Sequence, residues 1–305
     1  MQPRTQFLFA SVGVWIAFVL VQIGGLALAT PLVDAGVGVG GDPGDPRIGI
    51  VFVIGLLIAT AIIYVGFQYG LGRVLRALIF LISVGMTWFV LDVFLPATVV
   101  GDGITLLGAI VIPVATFWFR TWWLINGQAL ILGIGIVGLF GSSFAILPIL
   151  ILLVILAAYD AISVYGTKHM LTLAEDAVTA RLPVLFVIPL ERGGANKAED
   201  PGTKDGPWGQ AMYIGLGDAV IPSMLIVSAV VHLPVDSLAI AGIAVTIPAL
   251  TTMLGITVAL ASLLALTASG RPHAGLPLLN TGAIAGYLVG ALIAGLPLME
   301  AIGVA

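Results

Sequence analysis

Cysteine is missing from all 305 residues, so the chain has no disulfide, no thiolate nucleophile and no cysteine-ligated metal. Charge is scarce: Asp, Glu, Lys and Arg together make up 9% of the residues. Histidine occurs at three scattered positions only, His169, His232 and His273, which argues against a histidine-rich metal site. What fills the chain instead is apolar: 60% of residues are hydrophobic and the mean hydropathy is +1.19. A soluble domain of this length could not cover so much apolar surface with so few charges. The composition therefore describes an integral, multi-pass protein of the cell membrane with the lipid bilayer as its solvent. Nucleic acid is not an expected partner.

A helix needs about 20 mostly apolar residues to cross a bilayer. Nine segments qualify, at roughly 7–33, 48–70, 75–96, 103–119, 121–142, 146–166, 212–232, 237–268 and 276–299. Backbone groups in lipid must bond to one another, and the runs are long and continuous rather than alternating, so helices are expected and a β-barrel is not. The expected fold class is an all-α membrane protein of nine transmembrane helices. Arg4 precedes the first run and "LALAT" lies late in it, as in a signal peptide. That run is far longer than a signal-peptide core, so it reads as an anchoring helix.

Basic residues set the orientation. With nine alternating helices, Arg4, Arg73, Arg76, Arg120, Lys168, Arg181, Arg192, Lys197, Lys204 and Arg271 all fall on one side, and only Arg47 falls on the other. The N-terminus is then cytoplasmic and the C-terminus outside. The chain divides into helices 1–6 (1–166), a partly disordered cytoplasmic loop (167–211) and helices 7–9 (212–305). Inside the loop, "GGANKAEDPGTKDGPWG" is polar and glycine-rich. Before it, "LPVLFVIPL" (182–190) is too short to span. It reads as a segment lying on the bilayer or as a strand with an open edge able to pair with an extended peptide.

Most of the 15 acidic residues lie in loops or near helix ends. Asp160, in "LAAYDAISVYG", and Asp218, in "MYIGLGDAVIP", stand apart. Counted from the ends of expected helices 6 and 7, each lies roughly 9 Å inside the same membrane face. Two carboxylates at one level would repel if both were ionised, and a shared proton resolves this. Such a pair can also split water between them: one takes a proton from water as it attacks a peptide carbonyl, and the other protonates the oxyanion or leaving amine. No metal or cofactor is needed. Gly215 and Gly217 remove side chains beside Asp218, so a neighbouring helix or an unwound backbone can come close.

G-x-G-D alone is weak, since this composition supplies it by chance roughly 0.2 times. Its context is stronger. Tyr159-Asp160 in one helix and Gly215-Leu216-Gly217-Asp218 in the next resemble the GxGD intramembrane aspartyl proteases, the family of presenilin and signal peptide peptidase, with a compact layout like that of microbial homologues. The resemblance implies an aspartic endopeptidase that hydrolyses bonds within transmembrane segments, with Asp160 and Asp218 catalytic and transmembrane helical proteins as substrates. It implies that Tyr159 lines or supports the site. It also implies a Pro-Ala-Leu segment at the start of the last helix, where this chain has Pro277-Leu278-Leu279; the literal Pro248-Ala249-Leu250 falls inside expected helix 8. In the family, the region between helices 6 and 7 helps form a small sheet with substrate, which adds weight to the strand reading of 182–190. A leader peptidase of the prepilin type and a non-enzymatic ion or proton carrier are the alternatives. Homo-oligomerisation is left open.

The remaining features have plainer readings. Trp88, Trp118, Trp122 and Trp123 read as interfacial or lipid-facing aromatics. Asn126 and Gln128 read as interhelical hydrogen-bond donors. "GIGIVGLFG" reads as a helix-packing face, because no phosphate-binding lysine accompanies it.

Overall fold

The apolar runs fold mostly as helices, with short strands and one helix break as the exceptions. A computed structural model describes residues 3–95, 97–167, 183–189, 211–267 and 274–304. The helices are α1 (Pro3–Asp34), α2 (Pro46–Gln68), α3 (Gly72–Phe94), α4 (Val99–Phe119), α5 (Trp122–Ser143) and α6 (Ile146–Ala161), then α7 (Leu216–Val231), α8 (Ile247–Thr267), α9 (Gly275–Ile293) and the short α10 (Leu298–Ala301). A π-helical segment, Ile162–Thr167, continues α6. Strands β1 (Leu185–Pro189) and β2 (Ala211–Gly215) pair antiparallel, as do β3 (Leu238–Ile240) and β4 (Ile243–Val245).

Eight helices among the described residues are long and apolar enough to cross a membrane. The expected span 212–232 is different: its first residues form β2, and α7 has 16 residues, about 24 Å of helix. Residues 211–215 pair with β1 from Leu185↔Gly215 to Pro189↔Ala211, and the Leu216 N–H donates to the Val184 carbonyl at 3.0 Å. The expected span 237–268 also shortens, because Ala241 (φ 51°) and Gly242 (φ 82°) make a tight turn between β3 and β4. The last span breaks after Ile293 at Gly295 (φ 80°), and Pro297 starts α10. Elsewhere local signals hold. Thr98 caps α4, its side chain accepting from the Gly101 N–H at 3.0 Å, and Arg120 (φ 51°) ends that helix.

Helix α7 sits centrally, against α1, α5, α6, α8 and α9, and Met224 to Val227 are almost wholly buried. Helix α2 is the opposite case, mostly exposed and held near its start. There Gly49 lies against the Pro148 backbone of α6, and Phe52 packs edge-on to Phe140 and Phe144. Buried polar groups tie the rest together. Gln128 Nε2 donates to Thr87 Oγ1 (3.0 Å) between α5 and α3, as an interhelical donor should. Asn126 does something else. Its Nδ2 donates to the Val187 carbonyl (2.7 Å) and its Oδ1 accepts the Val187 N–H (2.8 Å). One amide thus occupies both backbone groups of β1 at Val187, so the edge expected to be open is closed there.

The glycine-rich stretch 193–209 lies outside the described residues, as do Lys168, His169, Arg181, Arg192, Lys197, Lys204, Arg271 and His273.

Candidate active site

Asp160 is the penultimate residue of α6, whose sequence ILPILILLVILAAYDA is apolar up to its last turn. It is buried, with 5% of its surface exposed. Tyr159 beside it is half-buried. Asp218 lies in the first turn of α7, behind an extended Gly215 (φ −61°, ψ 136°) that begins the helix. The Gly215 N–H is directed at the Asp218 carboxylate, the reach-back half of a capping box. Pro222, four residues on, has no N–H to close the next turn onto the Asp218 carbonyl. Asp218 therefore follows its helix start by two residues, not by six as the sequence expectation had it. Residues 212–215, which form β2, take up the difference.

The two acids meet at the first turn of α9. The Leu276 N–H donates to Asp160 Oδ2 at 3.1 Å, and the Gly275 N–H is directed at the same carboxylate. A Cβ placed on Gly275 would stand 3.2 Å from Cγ and both oxygens of Asp218. The carboxylates are close enough to act on one another electrostatically. Helix α9 has no capping side chain of its own, since Ala274 precedes it, and its third residue, Pro277, lacks an N–H. Asp160 thus supplies from α6 the acceptor that a capping residue would provide. Gly275 and Leu276 were not singled out from the sequence. The available signal was "AGLP", an uncapped helix start with proline in its first turn.

The other expected site residues distribute as follows. Gly215 faces Asp218, and a Cβ there would lie 3.3 Å from Oδ2. Gly217 is exposed, and a Cβ there would make only an ordinary 3.7 Å contact with Ile221. Leu216 is buried and packs on Gly133 of α5. Pro277 and Leu278 are half-buried just past the acids, while Leu279 is fully buried in the core. The literal Pro248-Ala249-Leu250 starts α8, where Pro248 packs on Gly290 of α9. Fifteen helical residues, about 22 Å, separate Gly290 from Gly275. Among the described residues, no three His, Cys, Asp or Glu side chains gather as a metal site.

Comparison with known proteins agrees with this layout. Residues 15–296 match the family described as "Signal-peptide peptidase, presenilin aspartyl protease". No curated protein sequence matches the chain. Two similar solved structures are of a presenilin family intramembrane aspartate protease, one in space group C222 and one in P2. The first is 31% identical with a TM-score of 0.68, covering 93% of this chain and 99% of that one. The second is 31% identical with a TM-score of 0.66, covering 92% and 97%. With the family match spanning most of the chain and these structures alike along nearly their whole length, this multi-pass membrane protein belongs to the signal-peptide peptidase and presenilin family of aspartyl proteases.

Proposed function

We propose that Asp160 and Asp218 are the catalytic pair of this intramembrane aspartyl protease. The observation that carries the reading is their meeting at one helix start, Asp160 on the Leu276 N–H and Asp218 against Gly275. One carboxylate takes a proton from water as the water oxygen bonds to the scissile carbonyl carbon. The other, as the acid, gives its proton to the carbonyl oxygen. As the C–N bond of the tetrahedral gem-diol breaks, the first carboxyl gives its new proton to the leaving nitrogen and a gem-diol hydroxyl returns a proton to the second carboxylate, which restores the shared proton. The pair acts as a unit, so neither residue has the acid or the base role to itself.

Gly217 and the partly exposed Asp218 give an unwound backbone an approach to the pair. Buried Asp160 is held from behind by α9. Pro277, Leu278 and Leu279 shape the far side, with Tyr159 and Leu216 supporting the two helices. Substrates are transmembrane helices of other proteins that unwind before cleavage. The topology that fits is nine membrane segments with a cytoplasmic N-terminus and an outer C-terminus, α7 and β2 together forming the seventh. In the three-part division, 1–166 carries one acid, 167–211 is the cytoplasmic connection and 212–305 carries the other.

The test uses full-length protein in detergent with a fluorogenic transmembrane peptide. Asp160→Ala and Asp218→Ala should each lose about 10³-fold in kcat/KM while keeping the wild-type melting profile. Turnover within tenfold of wild type in either variant would remove the pair mechanism.

A further inference from the structure

We infer that Tyr165 is a positioning residue, pinning the first turn of α9 against the two acids. The inference rests on the assignment of Asp160 and Asp218 above. Tyr165 Oη accepts the Ala274 N–H at 3.2 Å, from a residue 109 positions away. Ala274 precedes α9 and is 5% exposed; the next two residues are those that touch the acids. Helix α9 thus begins with three donors, at Ala274, Gly275 and Leu276, and all are directed at side chains carried by the α6 segment. Pro277 adds no fourth donor. Among the described residues Ala274 offers this turn no side-chain cap of its own.

The π-helical segment explains how one stretch supplies both acceptors. Residues five apart on an α-helix stand about 140° apart around the axis. Asp160 and Tyr165 would then face different neighbours. A π-helical stretch turns less per residue than an α-helix, so residues five apart stand closer together around the axis. The chain widens in this way at Ile162–Thr167, two residues after Asp160, which covers part of the path to Tyr165, and both side chains reach the same turn of α9. Such widenings occur often at functional sites. Here the widening has a specific use: it places a hydroxyl and a carboxylate side by side under one helix start. Tyr165 does not touch the reacting atoms. It acts through Ala274, by fixing where Gly275 meets Asp218 and where the Leu276 N–H meets Asp160.

The experiment is a double-mutant cycle in the full-length protein. Tyr165→Phe deletes the acceptor oxygen and keeps the ring. Ala274→Pro deletes the donor, and the backbone there (φ −67°) already suits proline. Each should lower kcat about tenfold, leave KM within twofold and leave the melting profile unchanged. Each should also weaken a hydroxyl-bearing peptide isostere of the tetrahedral intermediate by the same factor as kcat. The double variant should be no slower than the worse single one, because both remove the same bond. Wild-type kcat in Tyr165→Phe, a loss residing in KM, or losses that multiply would each overturn the inference. Should Ala274→Pro lose its fold, the kcat and KM of Tyr165→Phe decide alone. Asp160→Ala and Asp218→Ala are measured in parallel. If they are inactive while Tyr165→Phe is normal, the positioning role fails and the pair stands; if they retain activity, it is the pair that fails.

Discussion

The two faces of α9 are built on different principles. Toward α8 it presents Gly282, Gly286 and Gly290, which lie directly on the α8 backbone. A Cβ on Gly290 would come within 2.6 Å of Pro248 Cα, and one on Gly286 would overlap the Thr251 backbone. Gly255 of α8 meets Gly282 in the same way. Toward α6, α9 makes a few discrete polar contacts: Ala274 to Tyr165, Leu276 to Asp160, and Asn280 Nδ2 to the Leu153 carbonyl at 2.8 Å. Lipid offers helices no hydrophobic reason to associate, so close backbone packing must hold them together. The first face spreads that packing over about two turns of helix. The second adds a few polar contacts, of which those from Ala274 and Leu276 fix groups at the site. Stability should therefore reside on the α8 side and rate on the α6 side.

Three substitutions would break or sharpen this contrast, ordered by their expected effect on stability. Gly286→Leu forces α8 and α9 apart and should cost about 3 kcal/mol or prevent folding, measured as the melting midpoint in detergent. A midpoint equal to wild type would mean that the glycine face is not what holds the pair. Asn280→Ala removes one buried hydrogen bond between α9 and α6 and should cost about 1 kcal/mol on the same measure. That cost is moderated because Asn280 Oδ1 has no partner among the described residues. Gly275→Ala should barely move the midpoint, yet its new methyl would stand 3.2 Å from the Asp218 carboxyl, so kcat should fall about tenfold. A variant as active as wild type would show that the acid tolerates displacement. A variant that melts early would show that the polar face also bears stability.

Hydropathy made most helices legible, because a spanning segment needs length and little else. It failed where strands lie inside apolar runs. LAI and IAV of the β3–β4 hairpin read the same as helix, and only the turn at Ala241-Gly242 separates them. The chain has 39 glycines, so one more carried no signal. Residues 212–215 were absorbed into a helix for the same reason, although a strand was one of the two readings of 182–190, which holds their partner 185–189. Asn126 was read as a donor between helices because nothing local tells an amide bonded to a helix from one bonded to a strand edge.

The sequence by itself determined that this chain lives in a bilayer and that two acidic groups, Asp160 and Asp218, stand in its apolar helices. Scarce charge forces the first conclusion, and the cost of burying a carboxylate in lipid makes the second conspicuous. Only the tertiary structure decided what the acids rest on: the bare start of α9, with Gly275 against one carboxylate and the Leu276 N–H on the other. The second of these is a backbone N–H 116 residues from Asp160 in the chain. A backbone N–H is the same at every residue except proline, so its use at one site is settled by packing and not by spelling.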